Sequence, residues 1–184
     1  GTSFQVWRLD DLSLIKTVVL ERGERGYEHR DPAEVRLLGD STTAMLTTFT
    51  CALYRLHDLD SEEPRAELVH VLPWSDYETD ACGIPATYGD IWLQTYAHSA
   101  GSFLISFNIT DPSNPILLDQ LEWDEPWWPH WISFEPGGRR VVLTSSTGAT
   151  RTKVLLVDVD PETGEMSFDE QFHDEVTGQI GAEF

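Results

Sequence analysis

With 184 residues, 40% of them hydrophobic and seven of them Trp, the chain is long enough to bury a sizeable core and too apolar to be disordered. Its longest apolar runs, such as 154–157, are strand-sized, so no segment reads as a membrane-crossing helix. A formal net charge of −20, with ten Arg but only Lys16 and Lys153, repels nucleic-acid phosphates and anionic lipid and argues against both as partners.

Two strands come first, over 4–9 and 14–20, joined by a polar turn at 10–13. A polar loop over 21–32 leads to strands at 33–38, 43–49, 51–56 and 65–72, with turns at Gly39-Asp40 and over 58–64. The next group reads 83–88, Gly89-Asp90, 91–97, a loop at 98–101, 102–109, a turn at 110–115, and 116–123. The clearest group runs 130–135, Pro136-Gly137-Gly138, 139–145, a Thr- and Gly-rich loop, 153–160, the turn Pro161-Glu162-Thr163-Gly164, and 166–172. A further inner strand is expected to start within 178–184. No window sustains the apolar stripe of an amphipathic helix.

The groups line up on their turns with a repeat of roughly 50 residues, a period that signals propellers or solenoids. Four antiparallel strands per repeat fit propeller blades. The predicted fold is therefore all-β, a partial β-propeller of about three and a half four-stranded blades. These are a half blade at 1–26, blades at 30–74, 80–123 and 127–173, and the start of a strand at 178–184. Such a set leaves sheet faces and edges in need of covering, so the expected partner is the remainder of the propeller, in cis or as a second chain.

Cys51 and Cys82 form neither a C-x-x-C pair nor a disulfide framework, which points to free buried thiols in a reducing compartment. The expected location is cytoplasmic, with the periplasm as the alternative. The acidic surface reads as a device for solubility or as the mark of a salt-rich cytoplasm.

Propeller ligands bind where the innermost strands begin. The loops at that face carry Trp74, Asp76, His98, Trp127, Trp128 and His130. His98 closes a second strand and His130 opens a first one, so two imidazoles on one rim form a candidate site for copper, zinc or iron. The alternative is that each caps a loop or packs on Trp. Glu34, near the start of an inner strand, either supports a site residue or pairs with Arg36. Trp127-Trp128-Pro129 walls an apolar pocket or closes the gap between blades. His29, His57, His70 and His173 read as loop or edge residues. No nucleophile elbow, zinc-protease, P-loop or dinucleotide motif occurs.

Several segments resemble the selenium-binding protein family, in the family's own order. Gly1-Thr2-Ser3-Phe4-Gln5-Val6-Trp7 is similar to its small-residue and "VW" strand, and Pro32-Ala33-Glu34-Val35-Arg36 to its "P-x-E-[IV]-R" strand. Cys51-Ala52-Leu53 falls in a similar region. Phe107-Asn108-Ile109-Thr110-Asp111-Pro112-Ser113-Asn114-Pro115 resembles a "Y-D-I-S-D-P-x-x-P" hairpin. Pro129-His130 through Gly137-Gly138-Arg139-Arg140 resembles an inner hairpin, and 154–160 an "L-x-V-D-V-D" strand.

The resemblance covers the C-terminal half of that family. It implies a seven-bladed ring and copper-dependent oxidation of methanethiol by O₂ and water to formaldehyde, hydrogen sulfide and hydrogen peroxide. Carried over residue by residue, it makes His98 and His130 metal-site residues, Glu34 a catalytic residue, copper the cofactor and a small thiol the substrate. Leu37-Leu38-Gly39-Asp40 departs from the family, which writes a histidine there. Two other readings stand beside this one. A non-enzymatic propeller would bind a peptide or small ligand at the Trp-rich rim. A lactonase-like propeller would require an acidic, calcium-type cluster at the channel mouth.

Overall fold

The computed structural model describes residues 1–72, 81–98, 101–123, 128–145 and 153–183, with the side chains of His98 and Glu183 outside that description. Sixteen strands and no helix are found among the described residues. They fall into two compact units, Gly1–Glu78 with Asp111–Pro115, and Thr79–Thr110 with Ile116–Phe184.

In the first unit, β1 (Ser3–Trp7) and β2 (Leu14–Val19) form an antiparallel hairpin. The strands β3 (Pro32–Leu37), β4 (Ala44–Thr48), β5 (Ala52–His57) and β6 (Arg65–Val71) follow as one antiparallel sheet in sequence order. Consecutive pairing of this kind needs only tight hairpins, and the turn residues supply them. Asp40 Oδ1 accepts the Thr42 and Thr43 N–H groups at 2.9 and 2.8 Å, closing the β3–β4 turn. Every residue of β4 is buried. One face of the sheet holds Ala44, Leu46, Tyr54 and Leu56, and Phe4 and Leu20 from the hairpin segment pack against this cluster.

The second unit contains two sheets. In the first, β9 (Ile91–His98), β10 (Gly101–Asn108) and β11 (Ile116–Trp123) pair in sequence order. The inner edge of β9 is covered by two short strands, β7 (Ala81–Cys82) and β8 (Ala86–Tyr88). The second sheet runs β12 (Pro129–Phe134), β13 (Arg140–Ser145), β14 (Lys153–Val159) and β15 (Met166–Phe168). The final strand, β16 (Ala182–Glu183), lies where the sequence suggested a new inner strand and pairs with β14.

Alternation decides which faces meet in this unit. Ile91, Leu93 and Leu104 of one sheet and Ile132, Val141, Leu143, Leu155 and Val157 of the other form a single buried cluster. Two polar links cross between the sheets: Ser106 Oγ donates to Gly164 O at 2.7 Å, and Met166 N–H to Asp119 Oδ2 at 2.7 Å. Gly138 has φ 70° in the β12–β13 turn, and the place of a Cβ there is taken by the Tyr88 ring, so both conformation and space call for glycine. The antiparallel four-stranded repeats make the chain all-β and a partial β-propeller.

Two expectations change. Neither cysteine is free, since Cys51 and Cys82 are both disulfide-bonded, and the reading of free thiols is therefore corrected. Sequence spacing carries no information on which thiols meet in space, so the pattern could not reveal the linkage. The single inner strand expected at 83–88 is interrupted, for reasons that bear on the site.

Candidate functional site

The interruption lies at Gly83-Ile84-Pro85. Gly83 N–H still donates to Thr95 O of β9 at 3.1 Å, but the next amide, Ile84 N–H, turns to His130 O of the neighbouring sheet at 2.9 Å. Pro85 has no N–H with which to resume the ladder at once, and pairing restarts at Ala86. The start of this blade is thus bonded to two sheets by successive amides. Gln94 Nε2 fixes the same spot by donating to Gly83 O at 2.6 Å.

Close approach requires glycine here. A Cβ on Gly83 would collide with Thr95 Oγ1 and come within 2.8 Å of His130 O and 3.1 Å of His130 Cα. The hydroxyl of Thr95 and the main chain of His130 therefore converge on one point. Thr95 is 0% exposed and its Oγ1 has no hydrogen-bond partner. The same holds for Gln94 Oε1, and for His130 Nδ1 within a partly exposed residue. A buried polar atom with no partner costs about 1–3 kcal/mol, so such atoms concentrate where a structure has a use for them.

His130 opens β12 as the sequence suggests. Its ring meets the Trp131 ring at 5.1 Å and 69°, an edge-on contact of the kind offered as the alternative to metal binding. Trp131 itself is 57% exposed. His98 ends β9, its backbone opposite Gly101, and its side chain lies outside the described residues, as do Trp74, Asp76 and Trp127. The main chain of His130 meets β9 through Gly83 at Thr95, three residues before His98. Trp128 is described and partly exposed.

Glu34 belongs to the first unit, on β3, and forms an ion pair with the Arg36 guanidinium. Of the two roles weighed for it, pairing with Arg36 is the one its surroundings display. The loop before β3 holds a more deeply buried carboxylate, which the sequence did not single out. Glu28 is 1% exposed and accepts the Arg25 and Tyr27 N–H groups at 2.7 and 3.0 Å on its two oxygens. Burial pushes its pKa up, but these backbone donors outweigh burial and hold it below the usual glutamate range. Burial, with Glu28 and Glu21 nearby, pushes the Tyr54 phenol up, and its hydroxyl donates to Glu21 O at 2.7 Å.

The remaining histidines divide. His57 Nδ1 lies 3.0 Å from Asp58 Oδ2, and the backbone of His173 bridges to Ile180. Burial lowers the pKa of His70. His29 lies in the loop before β3, as the sequence suggests, and is buried there with its Nδ1 also lacking a partner.

Whether copper fits can be judged from the donor set. No group of three or more His, Cys, Asp or Glu side chains able to hold a metal ion occurs among the described residues. The two sulfurs are bonded as disulfide and offer no thiolate. His130 is one imidazole with an uncommitted Nδ1. The described residues do not form a copper site by themselves.

Fold and strand order define the class, a partial propeller. Comparison with solved structures places it nearer to particular proteins. A hypothetical selenium-binding protein from Sulfolobus tokodaii matches 100% of this chain over 47% of its own, with TM-score 0.77 and 15% identity. A protein from Lactobacillus plantarum matches 98% over 51% of its own, with TM-score 0.73 and 17% identity. A periplasmic gluconolactonase from Pseudomonas aeruginosa matches 74% over 38% of its own, with TM-score 0.61 and 17% identity. The chain spans about half the length of the first and second of these structures. No family model and no curated protein sequence matches it. At such identities the likeness establishes the propeller fold.

Proposed function

We propose that this chain supplies part of a selenium-binding-protein-type propeller that oxidises methanethiol with O₂ and water to formaldehyde, hydrogen sulfide and hydrogen peroxide. One observation carries the reading: His130 stands at the start of an inner strand with a buried Nδ1 that nothing in the described chain engages. The order of the family-like segments, and the likeness in fold to the Sulfolobus protein, support it. Copper is the proposed cofactor. Because the described residues do not complete a donor set, His130 contributes an imidazole to a site whose other donors lie beyond them, His98 among the candidates. Glu34 has the weaker claim to a catalytic role, since its carboxylate already pairs with Arg36.

The partners proposed are a small thiol substrate and the remainder of the propeller, in cis or as a second chain. Disulfide-bonded cysteines favour the periplasmic alternative over the cytoplasm, where glutathione and thioredoxin keep thiols reduced.

The test uses protein expressed from the full reading frame. Copper retained after dialysis, and peroxide released from methanethiol but lost in His130→Ala, are the expected results. Protein that folds, binds no copper and releases no peroxide would overturn the proposal. Lactone hydrolysis without peroxide release, or ligand binding without turnover, would replace it with the lactonase or scaffold reading respectively.

A further inference from the structure

We infer that Asn108 is an N-glycosylation site, its side-chain amide the acceptor for an oligosaccharide delivered from a lipid-linked donor. The inference rests on the reading, made above from the disulfide-bonded cysteines, that this chain works outside the cytoplasm.

The sequence holds two asparagines, Asn108 and Asn114. Asn114 precedes Pro115, whereas Asn108-Ile109-Thr110 satisfies the acceptor pattern N-x-[ST] with x other than Pro. Such a pattern also arises by chance, so its presentation by the fold decides. Asn108 ends β10, and its Oδ1 accepts the Thr110 N–H at 2.8 Å, an Asx turn. This bond holds the planar amide with its oxygen on the turn and directs Nδ2 away from it. Nδ2 has no hydrogen-bond partner among the described residues. Thr110 is exposed, and its hydroxyl donates to Asp90 Oδ2 at 3.2 Å in a contact open to solvent. Ile116 lies directly opposite Asn108 on β11 and is 56% exposed, so this end of the sheet is open on the side that both residues face.

Asparagine itself is the unusual choice. Asp11, Asp40, Asp111, Asp160, Asp169 and Asp174 each accept the amide two residues on with Oδ1, the same bond that Asn108 makes. Aspartate closes such a turn at least as well, because its charge strengthens the bond. A chain this rich in carboxylates has no need of asparagine to make the turn. What asparagine adds is an amide nitrogen.

The step is a group transfer without change of oxidation state. A bond forms between Asn108 Nδ2 and the anomeric carbon of the first sugar. The bond from that carbon to the donor's phosphate oxygen breaks, the oxygen keeps the electron pair, and Nδ2 gives up one proton to the transferase. The result is a bulky hydrophilic group beside Ile116, on the strand that forms the outer edge of its sheet.

The experiment is glycopeptide mass spectrometry on protein isolated from its native cells, with a thiol count on the same sample. The expected result is sugar on Asn108, none on Asn114, and no free thiol. Expressed in the same cells, Thr110→Ser should keep the sugar and Thr110→Ala should lose it with the disulfide intact. A bare Asn108 in protein whose cysteines are bonded overturns the inference and spares the compartment. A bare Asn108 with free thiols overturns both. Sugar that persists on Thr110→Ala also overturns it, since the hydroxyl is then not part of the signal. If Thr110→Ala does not accumulate, wild type alone decides. Copper content and peroxide release have no bearing on these outcomes.

Discussion

Replacing Glu28 by Gln tests whether the loop before β3 is held by one buried carboxylate. The two oxygens of Glu28 take separate donors, Arg25 N–H at 2.7 Å and Tyr27 N–H at 3.0 Å. A Gln side chain has nearly the same shape but only one acceptor, so its NH₂ must face one of the two amides. Gly23 leaves little room to turn away, because its missing Cβ would lie 2.6 Å from Glu28 Cδ and 2.9 Å from Leu68 Cδ2. The variant therefore loses one charge-assisted bond outright and weakens the other, a cost of about 2–4 kcal/mol. The pH dependence gives a second signature. Glu28 has a folded pKa below its ordinary value of 4.5, so its stabilisation is fully present above that value and is lost as pH falls through the lower folded value. The gap between wild type and Glu28→Gln should be complete at pH 7 and should narrow below about pH 4, where a protonated Glu28 resembles Gln. Amide hydrogen exchange at Arg25 and Tyr27, corrected for the intrinsic pH dependence of exchange, reads the effect locally without requiring two-state unfolding. A variant whose two amides stay within about 0.5 kcal/mol of wild-type protection at pH 7 would refute the reasoning, since ordinary surface changes have effects of that size. A gap of constant size from pH 7 down to pH 3 would refute the electrostatic part.

Gly83→Ala should destabilise the second unit by about 1–3 kcal/mol, because the new methyl meets the backbone of His130, which cannot swing aside as a side-chain tip can. Unchanged urea unfolding of this variant would show that the junction is looser than described. Thiol titration in denaturant without reductant should find no free cysteine, and reduction should cost about 2–5 kcal/mol of stability. Two titratable thiols in freshly isolated protein would count against the linkage.

The parts of the fold written in local chemistry were legible. Asp40 closes its turn with its own side chain, and Gly138 and Gly164 stand where φ is 70° and 75°, so the turns that set the repeat announce themselves by residue type. The strands between those turns were read as strands, and the structure shows Val141, Leu143, Leu155 and Val157 on one buried face. What stayed hidden depends on neighbours distant in sequence. Ile84 looks like any strand residue until its amide is seen to leave β9 for His130. Glu28 reads as one more carboxylate in an acidic chain, because its burial depends on a loop folding its own amides inward. Thr95 lies in a β-rich run where a threonine ordinarily needs no explanation.

The same distinction separates the site residues. A side chain is available for chemistry when the task of holding the fold falls to other atoms. Glu34 fails this condition, since the carboxylate that would act is already paired with Arg36. His130 meets it. Its carbonyl takes the Ile84 amide, the edge contact with Trp131 restrains its ring, and Nδ1 is left without a task in the protein. The ladder of β12 to β13 skips His130, which falls at a bulge between Pro129 and Trp131, so its backbone is tied to the neighbouring sheet by the Ile84 amide instead. Gly83 allows this close approach, for any larger residue at the head of the neighbouring blade would push against the main chain of His130.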